Sequence, residues 1–310
     1  MKRVYGKAAL LMAVVALLSA AITHFTAVER PQTARFTAVA SFYPVYTAAK
    51  AITADTDTQL LCLTQAGTGC VHDYQLTSND MLTLSSADVL LLNGAGAESF
   101  LDDALAGLPS LRTVDSSIGI SLLPAAGHEH HDGHDHDEPY NEHIWVSPPR
   151  YLQQLDNLCN GLCDADPANA ARYRANTAAY QEQVRAVWTR MQRAAAALPM
   201  RACVTVHESL DYLVADLGLE VIAELAVDEE SGVSAGALSA ACDAVAQAGR
   251  ALVLYDVQYT QNGGGRYAGL EAAGETTVLE VDTAVLGDDG GDAWLRAMTA
   301  LAAQLEAWGG

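Results

Sequence analysis

The chain holds nine histidines, and they are unevenly placed. His24 borders an apolar N-terminal segment. His128, His130, His131, His134 and His136 crowd into residues 127–138, among acidic residues and without an apolar side chain to bury. That leaves His72, His143 and His207 for segments that read as folded. Imidazole is the commonest protein ligand for zinc and also suits copper, nickel and iron, whereas magnesium and calcium prefer oxygen. Three rings at loop or strand ends form a donor set for such a metal, and a closed tetrahedral zinc site wants one more ligand. The expected fourth is Asp282, ending the run Thr277–Asp282. Asp256, at the end of the preceding run, is its rival. The competing chemistry is hydrolysis, since zinc on three histidines with an open position activates water. His207-Glu208-Ser209-Leu210-Asp211 begins like the metalloprotease pattern HExxH but has Asp211 where the second histidine belongs, and no other general base stands out.

Elements must bring these residues together. Short β-branched or leucine-rich runs alternate with helical patterns, which predicts an α/β fold. Strands are expected at Phe36–Ser41, Gln59–Leu63, Asp88–Asn93 and Arg112–Val114, and again at Cys203–His207, Glu220–Glu224, Ala251–Val257 and Thr277–Val281. Helical patterns intervene, among them Pro44–Ile52 and Ala235–Ala248. The reading is two lobes, 36–150 and 200–310, each a small parallel sheet wrapped by helices. Between them, Asp166 suits an N-cap and Pro167 the first helical position, with Pro199 as a stop. Residues 166–198 are expected to form one backbone helix of roughly 47 Å joining the lobes. His72 follows a glycine-rich turn and precedes a helical pattern near Ser78. His143 sits in an extended stretch, Glu142–Pro148, that leads into a helix. His207 ends a strand, where open α/β sheets place their ligands.

The formal net charge of −21 argues against a nucleic-acid partner, because phosphate binding needs clustered Lys and Arg. Lys2, Arg3 and Lys7 precede an apolar run from Ala8 to about Ile22, and Ser19-Ala20-Ala21 offers a cleavage site. Residues 1–30 therefore read as a secretory signal, with an uncleaved anchor as the other reading. No cysteine follows that would carry a lipid, and no later run is long enough to span a membrane. The six cysteines in an exported chain read as structural disulfides. Cys62–Cys70, around a glycine turn, is the first pairing, Cys159–Cys163 the second, and Cys203–Cys242 takes the remainder.

Taken together, Gly69-Cys70-Val71-His72-Asp73-Tyr74 followed by Asn79-Asp80 and Ala87–Leu90, His143-Ile144-Trp145 followed by Pro148, and Val206-His207 through Leu217-Gly218-Leu219 resemble the solute-binding proteins of zinc and manganese ABC importers, the ZnuA-type receptors. The resemblance covers about Phe36 to Leu305. It implies two α/β lobes bridged by one long helix, with the metal held between them by His72 and His143 from the first lobe and His207 and Asp282 from the second. It also implies a monomer that hands Zn2+ to a permease with its ATPase, meeting the membrane only through that permease or an N-terminal anchor. Manganese members generally carry glutamate at the third position, so His207 favours zinc over Mn2+. The histidine-rich insertion is typical of zinc members and is expected to hold auxiliary metal. Val-Ser-Pro replaces the usual Leu-Asp-Pro, Asp256-Val257-Gln258 stands where a glutamate is common, and Val281-Asp282-Thr283 lacks a proline. A manganese receptor or an adhesin would share such a site.

Overall fold

The computed structural model describes residues 35–64, 74–125, 140–225, 233–259, 267–287 and 292–309. The expected signal segment with His24, His72 with Cys70, and the five loop histidines lie outside the described residues.

In the first half, Thr37–Ala40 (β1), Gln59–Cys62 (β2), Val89–Leu92 (β3) and Arg112–Asp115 (β4) pair in the order β2-β1-β3-β4. All of these pairs are parallel. The second half repeats the plan with Ala202–Val206 (β5), Glu220–Leu225 (β6), Arg250–Asp256 (β7) and Glu275–Val281 (β8), ordered β6-β5-β7-β8 and again all parallel. The inner strands are near-continuous apolar runs because helices cover both faces of a parallel sheet; Ala38, Val39, Val89, Leu90, Leu252 and Val253 are all fully buried. The eight expected strands are thus observed, displaced only at their ends.

Tyr43–Ile52 (α1) follows β1, Ser78–Ser86 (α2) leads into β3, and Asp102–Ala106 (α3) follows β3. Thr77 and Asp80 close α2 with a reciprocal capping box, which satisfies two backbone donors at its start. Pro148–Ala165 (α4) and the 28-residue Ala170–Ala197 (α5) stand between the two sheets in the chain. Asp211–Asp216 (α6), Ala235–Ala248 (α7), Ala268–Glu271 (α8) and Ala293–Gly309 (α9) complete the second half.

At about 1.5 Å per residue, α5 extends roughly 42 Å. Tyr173, Tyr180, Val184, Val187 and Met191 are buried along it. They share one apolar cluster with Ala40 and Leu91 of the first sheet, Cys203 and Leu254 of the second, and Trp294 of α9. Residues 166–169 depart from expectation: α4 already runs to Ala165, Asp166 closes it, and α5 starts at Ala170. The Asp166 carboxylate is instead buried and accepts hydrogen bonds from Asn169 Nδ2 and Tyr173 Oη, both at 2.7 Å.

The disulfide expectation is corrected among the described residues, where Cys62, Cys159, Cys163, Cys203 and Cys242 are all free thiols. Cys159 and Cys163 are one turn apart on α4. Helical neighbours hold their Cβ atoms ~5–6 Å apart, beyond the ~3.5–4.5 Å that a bridge needs. Cys203 faces the cluster shared with α5, while Cys242 packs into the cluster on the opposite face of the same sheet. The sheet itself separates them.

Candidate metal centre

In the strand order 2-1-3-4 the topology reverses between the two inner strands, and ligand sites open beyond their carboxyl ends. His207 follows β5 and Asp256 ends β7, so both lie at that point of the second sheet. His207 has φ +98, outside the regions that side-chain-bearing residues favour. Among the described residues, three contacts hold its ring. Nδ1 accepts the Ser209 N–H at 3.0 Å, which caps the turn Glu208–Leu210. The Tyr259 ring stacks on it at 3.9 Å between centroids. The third contact is His143: the two imidazoles meet edge to face at 5.5 Å. They stand 64 residues apart in the chain, each from its own half.

His143 is oriented by a neighbour that the sequence reading did not single out. The fully buried Asn141 accepts the His143 backbone N–H at 2.9 Å through Oδ1 and faces Nδ1 at 3.0 Å. An amide oxygen only accepts, so Nδ1 is the donor in that contact, while Nε2 lies 3.6 Å from Glu142 Oε1. Asn141 Nδ2 donates to the Glu208 carbonyl at 2.9 Å and to Asp211 at 3.2 Å, tying the His143 segment to the second half. Tyr212 Oη donates to the Asn141 carbonyl at 2.6 Å. Trp145 Nε1 bonds the Thr283 carbonyl, and Trp294 Nε1 bonds the Trp145 carbonyl, both at 2.8 Å. The expected extended stretch after His143 is a 3-10 turn, Ile144–Val146, buried against these partners.

Two buried carboxylates were likewise missed or ranked second. Asp256 is 1% exposed and accepts from Ser209 Oγ at 2.7 Å, Gln258 N–H at 2.9 Å and Thr283 Oγ1 at 3.3 Å. Burial pushes its carboxyl up to about 6, against the pull of these donors and of His143. In the first half, Glu98 accepts from Ser41 Oγ at 2.6 Å and from the N–H groups of Asn93 at 2.7 Å and Gly94 at 3.0 Å. Burial again dominates and lifts it to about 7. Gly94, Ala95 and Gly96, in the turn that follows, all have positive φ. A Cβ on Gly94 would fall 1.9 Å from Asp115 Oδ1. Asn93 Nδ2 then donates to the Glu142 carbonyl at 2.9 Å, one residue before His143. The sequence signal for this network was the small, turn-forming run Asn93–Gly96 beside a lone acid.

Asp282 is exposed, and its Oδ1 accepts the Ala284 N–H at 2.7 Å. Among the described residues no group of three or more His, Cys, Asp or Glu side chains stands close enough to hold a metal; His72, the expected third imidazole, is outside them. Asp211 is pushed up to about 7, first by burial and then by Glu224 and Glu208.

Compared with known proteins, residues 38–308 match the family described as zinc-uptake complex component A, periplasmic (ZnuA). The zinc-binding protein AdcA of Streptococcus pyogenes serotype M3 is 29% identical over 201 residues, 59% of this chain and 38% of that protein. The chain spans less than half the length of the curated relatives it matches. A zinc-bound ZnuA deletion mutant superposes with TM-score 0.70 at 23% identity, covering 89% of this chain and 98% of that one. The SBP FpvC from Pseudomonas aeruginosa in complex with Mn2+ superposes with TM-score 0.69 at 21% identity, covering 88% and 96%. These likenesses establish the fold.

Proposed function

The chain belongs to the family of periplasmic zinc-uptake components A, and from that premise we propose that it is an extracytoplasmic receptor that captures Zn2+ and delivers it to an ABC permease and its ATPase. His72, His143 and His207 are the proposed ligands, with Asp282 as the fourth and Asp256 as its rival. The observation that carries this reading is the ring-to-ring meeting of His143 and His207 from opposite halves at 5.5 Å. His143 already has its Nδ1 proton engaged by Asn141, which leaves Nε2 to a metal. The reaction is binding rather than turnover: neutral imidazoles close on the ion.

Histidine at the third position supports zinc over manganese, because imidazole suits softer cations than carboxylate does. Asp211 in place of the second histidine of HExxH disfavours a hydrolase. The histidines of residues 127–138 are proposed to hold additional zinc weakly. Deleting residues 127–137 should then lower zinc stoichiometry and leave the tight site intact.

The test is competition titration of zinc and manganese against a chromophoric chelator, with elemental analysis, on wild type, His143→Ala, His207→Ala, Asp282→Ala and Asp256→Ala. Wild type should prefer zinc, and both histidine variants should lose tight binding. Unchanged binding in His143→Ala and His207→Ala would refute the site. A loss in Asp256→Ala with none in Asp282→Ala would transfer the fourth role to Asp256.

A further inference from the structure

Tyr259 lies in the single turn Val257–Tyr259 that follows β7, and its ring is nearly parallel to that of His207, with centroids 3.9 Å and planes 24° apart. The backbone of His207 is in a sparsely populated conformation, φ +98 and ψ 142, so a regular strand register does not aim its ring. Outside groups do so: the Ser209 N–H on Nδ1, the edge contact with His143, and the face of Tyr259.

We propose that Tyr259 is a positioning residue for the metal site, a platform that confines the His207 imidazole to one plane. The proposal rests on His207 being a ligand. With Nδ1 accepting from Ser209, the neutral ring carries its proton on Nε2. A cation on Nδ1 must displace that hydrogen bond, whereas a cation on Nε2 needs the proton moved to Nδ1, which the Ser209 N–H opposes unless the ring turns about its Cβ–Cγ bond. A half-turn about this bond returns the ring to the same plane, so the stack on Tyr259 is kept in both orientations. Rotations that carry the ring away from the site lose it. Tyr259 thereby lowers the conformational freedom that ligation must remove, which is how a preorganised ligand gains affinity. The sequence offered no sign of this, since Tyr259 is 52 residues from His207.

The experiment uses the full chain and Zn2+ alone as probe, titrated against a competing chelator, in wild type, Tyr259→Leu, Tyr259→Phe and His207→Ala. Leucine keeps bulk but removes the aromatic face. Tyr259→Leu should weaken zinc binding roughly five- to tenfold, the range expected for losing one aromatic stack. Tyr259→Phe should stay within about twofold of wild type. In wild type and Tyr259→Phe, the ring protons of His207 should show an upfield ring-current shift by NMR, with and without zinc, and Tyr259→Leu should lose it. Wild-type affinity in Tyr259→Leu, Tyr259→Phe as weak as Tyr259→Leu, or no ring-current shift in the wild type would each overturn the platform. If His207→Ala weakens zinc while Tyr259→Leu does not, the platform alone fails. If His207→Ala binds like wild type, the ligand assignment falls and the platform with it.

Discussion

The two halves share a plan but use it differently. Each sheet has the strand order 2-1-3-4. Beyond its inner strands each buries one carboxylate against a serine hydroxyl: Glu98 with Ser41 at 2.6 Å, and Asp256 with Ser209 at 2.7 Å. Both carboxyls are raised by burial, to about 7 and about 6. In the first half the carboxylate is held by the N–H groups of Asn93 and Gly94 and reaches the His143 segment through Asn93 and the Glu142 carbonyl. In the second half it holds Ser209, whose backbone N–H donates directly to His207 Nδ1. One topology thus supplies a structural anchor in one place and a support for the proposed ligand His207 in the other. The difference follows from where the histidine sits, on a separate loop or at the strand end itself.

The largest effect tests whether the halves contribute equally. His143→Ala and His207→Ala should each weaken zinc by at least ~100-fold, exceeding the ~10–100-fold usual for an outer-shell partner. A large loss in one and none in the other, by chelator competition, would place the site in a single half.

Next comes a contrast between the anchors. Glu98→Ala strands three buried donors and should cost about 3–4 kcal/mol in urea denaturation of the metal-free protein. Its effect on zinc affinity in the fraction that remains folded should be small. Asp256→Ala should cost less, about 2–3 kcal/mol, yet weaken zinc roughly tenfold by loosening Ser209. Equal effects of the two variants on zinc would erase the distinction.

Acid dependence sharpens the same contrast. Glu98 is raised from 4.5 to about 7, so the folded chain binds that proton more tightly than the unfolded one. Its contribution is therefore full below about pH 4.5 and lost as pH rises through about 7. Glu98 should supply a decline on the order of 2–3 kcal/mol across that window, and Glu98→Gln should remove that share of the slope while leaving the shares of Asp211 and Asp256, which are raised to about 7 and about 6. A Glu98→Gln profile parallel to wild type would show that Glu98 does not titrate there.

Asn141→Ala should be milder for zinc, about tenfold, because it frees the His143 ring and the bonds to Glu208 and Asp211 together. Tightened or unaltered binding would show that this bridge between halves does not serve the site. The smallest effect concerns the cysteines. Since the described thiols are free, a reducing agent should move the urea midpoint by less than about 0.5 kcal/mol of stability. A drop of about 2 kcal/mol or more would reveal a bridge.

Much of the fold was legible along the chain. The inner strands Ala38–Ala40, Val89–Leu91 and Leu252–Leu254 are unbroken apolar runs because both faces of their sheets are covered, and that pattern survives in one dimension. The helix Ala170–Ala197 was readable from the spacing of Tyr173, Tyr180, Val184 and Met191. Its start was not, because the buried bonds of Asp166 to Asn169 and Tyr173 outweigh its preference for a cap. The cysteine reading failed for a similar reason: an even count says nothing of which sheet face each thiol takes.

For the site, the types and rarity of His143 and His207 were enough to mark them as metal-ligand candidates, since few other side chains offer such a nitrogen and the folded segments hold so few of them. Only the tertiary structure decided that their rings meet, that Asn141 sets the proton of one and Tyr259 the plane of the other, and that Asp256 is enclosed while Asp282 is exposed. The reason is physical. A donor's chemistry belongs to its own side chain, whereas proton placement, ring orientation and desolvation are imposed by neighbours that the chain brings close only when its two sheets have formed.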